Sequence, residues 1–220
     1  MNYLIHACVS RLWYVDRYLV PSMIAQGIDK NDIFVYLDSS KKGNLFSFMD
    51  SLKMLNETGG TWHLQDDVLI ARVFAEDTKR YFNSKSIVCG FCSKYDKNIG
   101  KGTVRPDKMW YSFPCIYIPN KYAKEFYQWW ENKPNIPAWV NSYTRQKKGD
   151  DTLFRYYAEE INTDITAINH YPNLVEHIDY LIGGSLVNPT RNDKWIRAIY
   201  FQDNDLVEKL KQSLDDAVFR

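Results

Sequence analysis

The chain lacks several things at once, and each shortage removes a class of function. In 220 residues no apolar run approaches the roughly 18–20 residues that a membrane-spanning helix needs. MNYLIHACVSR at the N-terminus reads as a first strand, not as a signal peptide, so a cytoplasmic protein is expected. Cysteine is scarce: Cys8, Cys89, Cys92 and Cys115 are too few and too unevenly spread for a secreted disulfide framework, and reduced thiols are expected. Charge of one sign is missing too. Lys and Arg number 28 against 27 Asp and Glu, a net +1, so no global field points to nucleic acid or an anionic membrane. There is no internal repeat, low-complexity tract or linker, which predicts one domain able to bury its core without disulfides or structural metal. Finally, ACVSRLWYV contains no glycine. A nucleotidyltransferase normally needs a glycine-rich phosphate loop near its first strand, so that reading is weakened.

Aromatic residues are abundant, with 7 Trp, 16 Tyr and 11 Phe, which suits ligand stacking and equally a tightly packed core. Tyr3 to Val9 is a short apolar run. From Arg11, Leu12, Val15, Leu19 and Met23 recur at helical spacing until Gly27. IFVYLD, 33–38, predicts a strand ending in Asp38, and LFSFMDSLKMLNET a helix closed by Gly59-Gly60. Thr61 to Leu64 predicts a strand that stops at Gln65-Asp66-Asp67, followed by a helix over VLIARVFAEDTKRYF, 68–82. SIVCGFC, 86–92, is a fourth strand. Residues 93–108 read as a long polar loop, MWYSFPCIYIPN as a strand, KYAKEFYQWWEN as a helix and PNIPAWVNSYTRQKKG as irregular. DDTLFRYYAEEI predicts a helix opened by two acids, with a short strand at 164–168 after it. Alternation of this kind predicts a largely parallel, helix-covered sheet whose ligands sit at the carboxyl ends of the strands.

Asp38, Asp66 and Asp67 stand at such ends. Adjacent aspartates can simply cap the helix read from 68, as Asp150 and Asp151 can cap theirs. At a strand end, however, two neighbouring carboxylates can hold a hard divalent ion that keeps positions open for phosphate oxygens.

LQDDV at the end of an apolar strand, after an N-terminal βαβ unit, resembles the aspartate motif of GT-A glycosyltransferases, which use nucleotide-sugar donors. The resemblance implies a GT-A-like, Rossmann-related α/β fold: a mixed, mostly parallel sheet flanked by helices in a single domain, with a donor-binding half at 1–92, an acceptor half at 109–190 and a tail with a helix at 191–220. It implies Mn2+ or Mg2+ held by Asp67, with Asp66 beside it and Gln65 at the position facing the donor's ribose or sugar. GDDTL, 149–153, is similar to the segment where inverting members keep the general base, here Asp151 and then Asp150. YPNLVEHIDYLIGGSLVN, 171–188, is similar to a late segment in which a histidine joins the metal, here His177, while Gly183, Gly184 and Ser185 contact the diphosphate. Asp38 falls where members hold the donor's base, and Arg11 is placed with the donor-binding residues. The implied reaction moves a sugar, from a UDP-sugar in the first instance, to an acceptor hydroxyl with inversion.

Other features stay open. Gln65 departs from the motif by being neutral. His177 can equally be a packed or solvated histidine. Cys89-Gly90-Phe91-Cys92 ends a strand and lacks the helix N-terminus that activates a redox C-x-x-C. Lys94, Lys97, Lys101, Arg105 and Lys108, with Arg145, Lys147 and Lys148, form ordinary solvated loops, a lid over the diphosphate, or a contact with a polyanionic acceptor such as DNA carrying hydroxylated bases, as in bacteriophage. A glycan is the other acceptor. A non-catalytic carbohydrate- or nucleic-acid-binding module on the same fold is the rival from another class.

Overall fold

Side chains alternate along a strand, so each strand of a sheet covered on both sides must supply two cores. This chain does so. The computed structural model describes residues 2–92, 102–104, 113–145, 149–184, 197–198 and 200–218. Its elements run β1 (Tyr3–Cys8), a 3-10 turn (Val9–Arg11), α1 (Leu12–Tyr14), a π-type segment (Val15–Leu19) and α2 (Val20–Ala25). Then follow β2 (Ile33–Asp38), α3 (Asn44–Leu52), β3 (Gly60–Gln65), β4 (Val68–Ile70), α4 (Phe74–Lys79), β5 (Ile87–Cys89) and β6 (Gly102–Val104). The second half adds β7 (Cys115–Pro119), α5 (Asn120–Glu131), α6 (Ala138–Arg145), α7 (Asp150–Tyr156), β8 (Ala167–Asn169), β9 (Val175–His177), a 3-10 turn (Asp179–Leu181) and α8 (Asn204–Val218).

Among the described residues one seven-stranded sheet has the order β2-β1-β3-β7-β5-β8-β6. β2, β1, β3, β5 and β8 point one way, while β7 and β6 run antiparallel to their neighbours. The sheet is thus mixed and mostly parallel, and strands from both halves of the chain share it. Tyr3, Ile5 and Ala7 of β1, Trp62 and Leu64 of β3, and Cys115 and Tyr117 of β7 face a core built with Tyr14, Leu19, Met23 and Phe74. Leu4, Ile87, Cys89, Ile116 and Ile118 face the other, built with Phe48, Phe126, Leu153 and Phe154. Gly60 is required where it stands, because an added Cβ would lie 2.2 Å from the Tyr117 hydroxyl.

Four expectations need correction. Val68–Ile70 is a strand and not the start of a helix; it pairs antiparallel with Val175–His177, and the helix covers only Phe74–Lys79. The apolar residues of this short strand and of α4 abut at intervals that imitate one helix. Asp66 and Asp67 therefore cap nothing; they form the turn between β3 and β4. Residues 138–145 are helical where an irregular stretch is expected, with the Asn141 N–H donating to the Pro137 carbonyl just before the first turn, where proline is tolerated. The helix expected up to Gly59 ends at Leu52. Within the stretch expected to be a loop, Gly102–Val104 pairs with β8, and residues 93–101 and 105–108 lie outside the described residues. The four cysteines form no disulfide, and among the described residues no helix is long and apolar enough to cross a membrane.

Candidate active site at the end of β3

The short ladder between β4 and β9 positions the site. Val68 is in register with His177, and the Ile178 N–H donates to the Asp67 carbonyl at 2.8 Å. This pairing carries the His177 side chain, 110 residues later in the chain, to the carboxylate that closes β3: Nε2 lies 3.3 Å from Asp67 Oδ2. On the other side Arg11, just after β1, reaches into the same turn. Its Nη1 contacts Asp66 Oδ1 at 3.1 Å and also Asp67 Oδ2, while Nη2 donates to the Gly184 carbonyl at 2.5 Å. Asp66 Oδ2 accepts the Cys8 N–H at 2.7 Å. Arg11, Asp66, Asp67 and His177 are all buried.

Burial without compensation would neutralise these groups, and the arrangement supplies compensation unequally. Burial opposes the Asp67 charge, yet the His177 and Arg11 cations hold its carboxyl well below the usual range. Asp66 is pushed up, first by burial and then by the Asp67 charge, against the pull of Arg11. Burial lowers His177, but the Asp67 charge and the neighbouring Asp179 carboxylate raise it to about 10. Asp67 Oδ1 remains buried without a hydrogen-bond partner.

Gly183 and Gly184 have φ of +110° and +79°, which glycine adopts at no steric cost, and the Gly184 N–H donates to the Asp179 carbonyl at 2.7 Å. Their turn joins the site through Arg11; Ser185 lies outside the described residues. Gln65 ends β3 in register with His6. Asp38 closes β2 as expected, but its carboxylate accepts the N–H groups of Lys42 at 2.9 Å and Gly43 at 3.0 Å, tying down its own loop. Burial raises this carboxyl, but the donors together outweigh it and the net shift is a fall.

Asp150 and Asp151 open α7 on the α3 side of the sheet. Asp150 Oδ1 accepts from Asn44 Nδ2 at 2.8 Å, and Asp151 Oδ1 from the Thr152 N–H at 2.7 Å. Among the described residues no hydrogen bond links this pair to the Asp66–Asp67 turn. Burial, then the Asp151 charge, raises Asp150 to about 7, and burial raises Asp151 as well. A carboxyl raised in the folded state binds its proton more tightly there than in the unfolded chain. Stability is then greatest below the ordinary carboxylate range and declines as pH rises toward 7. Asp150→Asn should accordingly gain about 1–3 kcal/mol at pH 8 and little at pH 4. Thermal unfolding at the two pH values checks this, and a loss at pH 8 would contradict it.

Two features of the site lie outside the residues singled out from the sequence. Asp179, two residues after His177, faces its Nδ1, and H-x-D is the short signal that could have flagged it. Arg197 donates to the His177 carbonyl and stacks 3.5 Å from the Tyr180 ring centroid, with no local motif to announce it. A cavity of about 380 Å3 opens beside them toward α8, lined by Glu176, Asp205 and Glu208 as well as Tyr180 and Arg197. Three carboxylates make it a poor seat for a diphosphate.

The residues fit a divalent ion. Asp67 offers an oxygen without a partner and His177 an imidazole beside it. No cluster of three or more His, Cys, Asp or Glu side chains disposed to hold a metal occurs among the described residues. Magnesium-type sites, however, commonly use one or two carboxylates with substrate phosphates and water completing the shell. Arg11 already occupies Asp67 Oδ2, so a cation there shares that carboxylate with the guanidinium or displaces it.

No protein-family model matches the chain, and no curated protein matches it. Among solved structures, the crystal structure of A197 from STIV is similar at 16% identity and a TM-score of 0.43, over 81% of this chain and 86% of that one.

Proposed function

We propose that the protein is a metal-dependent glycosyltransferase of the GT-A type, acting on a nucleotide-sugar, with a UDP-sugar as first choice. The observation that carries this reading is the meeting of Asp67 and His177 at the end of β3, with Asp67 Oδ1 buried and unpartnered. In this reading Asp67 and His177 hold Mn2+ or Mg2+, which when bound neutralises charge on the leaving diphosphate. His177 gives up its proton to do so, and ion binding strengthens as pH rises. Arg11 and the Gly183–Gly184 turn stand beside the diphosphate, Asp66 and Gln65 beside the ribose or sugar, and Asp38 toward the base. Asp151, whose Oδ1 accepts the Thr152 N–H and hydroxyl, takes the proton of the attacking hydroxyl. The new bond forms at the anomeric carbon as the bond to the diphosphate breaks, with inversion; Asp150 is second choice for the base. The acceptor is a glycan or a hydroxylated base in DNA.

Calorimetric titration of a nucleotide-sugar panel, with Mn2+ and with chelator, tests this. One nucleotide should bind only with metal, and Asp67→Ala and His177→Ala should each weaken that binding at least about tenfold while circular dichroism shows a folded chain. Donor and metal binding by Asp67→Ala equal to the parent would sink the assignment. A second reading, a non-catalytic binding module, draws on Arg11, whose charge already balances part of the acidic turn. Such a module would bind without releasing nucleoside diphosphate.

A further inference from the structure

We infer that Asp179 is a positioning residue that sets the ring of His177 and, through its main chain, the Gly183–Gly184 turn. The inference rests on the metal reading of Asp67 and His177 for its consequence, but its geometry stands apart from any ion. Asp179 is almost wholly buried, and its Oδ1 lies 3.3 Å from His177 Nδ1. No other acceptor faces that nitrogen among the described residues. The contact is a close charge pairing, looser than an aligned hydrogen bond. The same oxygen accepts the Tyr180 N–H at 2.8 Å, which fixes the carboxylate, and Arg197 Nη1 approaches it at 3.9 Å.

The main chain of Asp179 has a separate task. Its carbonyl accepts the N–H groups of Ile182 at 3.1 Å and Gly184 at 2.7 Å, closing the turn whose Gly184 carbonyl receives Arg11. The contacts therefore form a ring: Asp67 to His177, His177 to Asp179, Asp179 through its backbone to Gly184, Gly184 to Arg11, and Arg11 back to Asp67. A carboxylate facing Nδ1 keeps a proton there in either charge state of the ring and directs Nε2 toward Asp67. Partners of this kind orient ligand histidines and tune affinity, and their loss commonly weakens metal binding 10–100-fold.

Because the turn uses the carbonyl and the ring uses the side chain, side-chain variants separate the two. Asp179→Ala should lower Mn2+ affinity about 10–100-fold, measured by electron paramagnetic resonance. It should also abolish a solvent-protected, downfield Nδ1 proton of His177 in NMR spectra recorded without metal. Only four histidines need assignment. Asp179→Asn, which keeps an acceptor oxygen, should restore the protected proton and part of the affinity. Persistence of that proton in Asp179→Ala overturns the inference, as does unchanged affinity where the parent binds Mn2+. A parent that binds no divalent ion, together with loss of the proton in Asp179→Ala, refutes the metal reading and leaves Asp179 as the residue that positions His177.

Discussion

Replacing Arg11 by methionine is expected to destabilise the fold by about 3–5 kcal/mol, the usual consequence of removing one partner from a buried ion pair. For a domain of this size that is a fall in Tm of roughly 10 °C. Arg11 is 5% exposed, and its guanidinium touches both Asp66 and Asp67 and also the Gly184 carbonyl. Methionine replaces the aliphatic stem but leaves two buried carboxylates facing each other across one turn. Adding Asp66→Asn to Arg11→Met should recover part of the loss, because one uncompensated charge is removed. Mn2+ should raise the Tm of Arg11→Met more than that of the parent, since a cation then takes up the vacated charge position. Thermal unfolding with chelator and with Mn2+ reads all of this. A Tm within about 2 °C of the parent in chelator would show that Arg11 does not balance the turn.

The second large effect is acid sensitivity at β1 and β3. His6 Nε2 and His63 Nδ1 lie 3.1 Å apart, the rings stack with centroids 5.3 Å apart, and Phe48 packs against both. His63 is wholly buried, whereas an edge of His6 reaches the surface. Burial lowers His6 to about 4, and burial followed by the His6 charge drives His63 well below its usual value. A depressed folded value means that stability is intact above the unfolded histidine value of 6.5 and is lost as pH falls toward 4. Between pH 7 and pH 5 the loss should be about 2 kcal/mol for His63 and somewhat less for His6. That is a large part of the ordinary 5–15 kcal/mol of a domain. The raised carboxyls of Asp150 and Asp151 act in the opposite sense over this interval, so the histidine share is read by difference: in denaturant melts at the two pH values His6→Gln/His63→Gln should lose less stability on acidification than the parent. An equal slope in parent and double variant would mean that other groups drive the acid response.

Local pattern carried a good deal of this protein. The strands at Tyr3–Cys8, Ile33–Asp38 and Gly60–Gln65, the helices between them and the helix opened by Asp150 were all legible, because each is long enough to show its own period. The placing of Asp38 and of the Asp66–Asp67 pair at strand ends follows from the same pattern. Val68–Ile70 and Val175–His177 were not legible: three residues show no period, and each is a strand only because the other pairs with it. That pairing decides that His177 meets Asp67. The reversed directions of β7 and β6 were hidden for the same reason, since direction belongs to the connection and the partner and not to the strand. Charge compensation is decided later still. The acids at 66 and 67 can be read from the chain, but burial fixes how costly their charge is, and only the folded proximity of Arg11 and His177 determines that Asp67 is held low while Asp66 is pushed up.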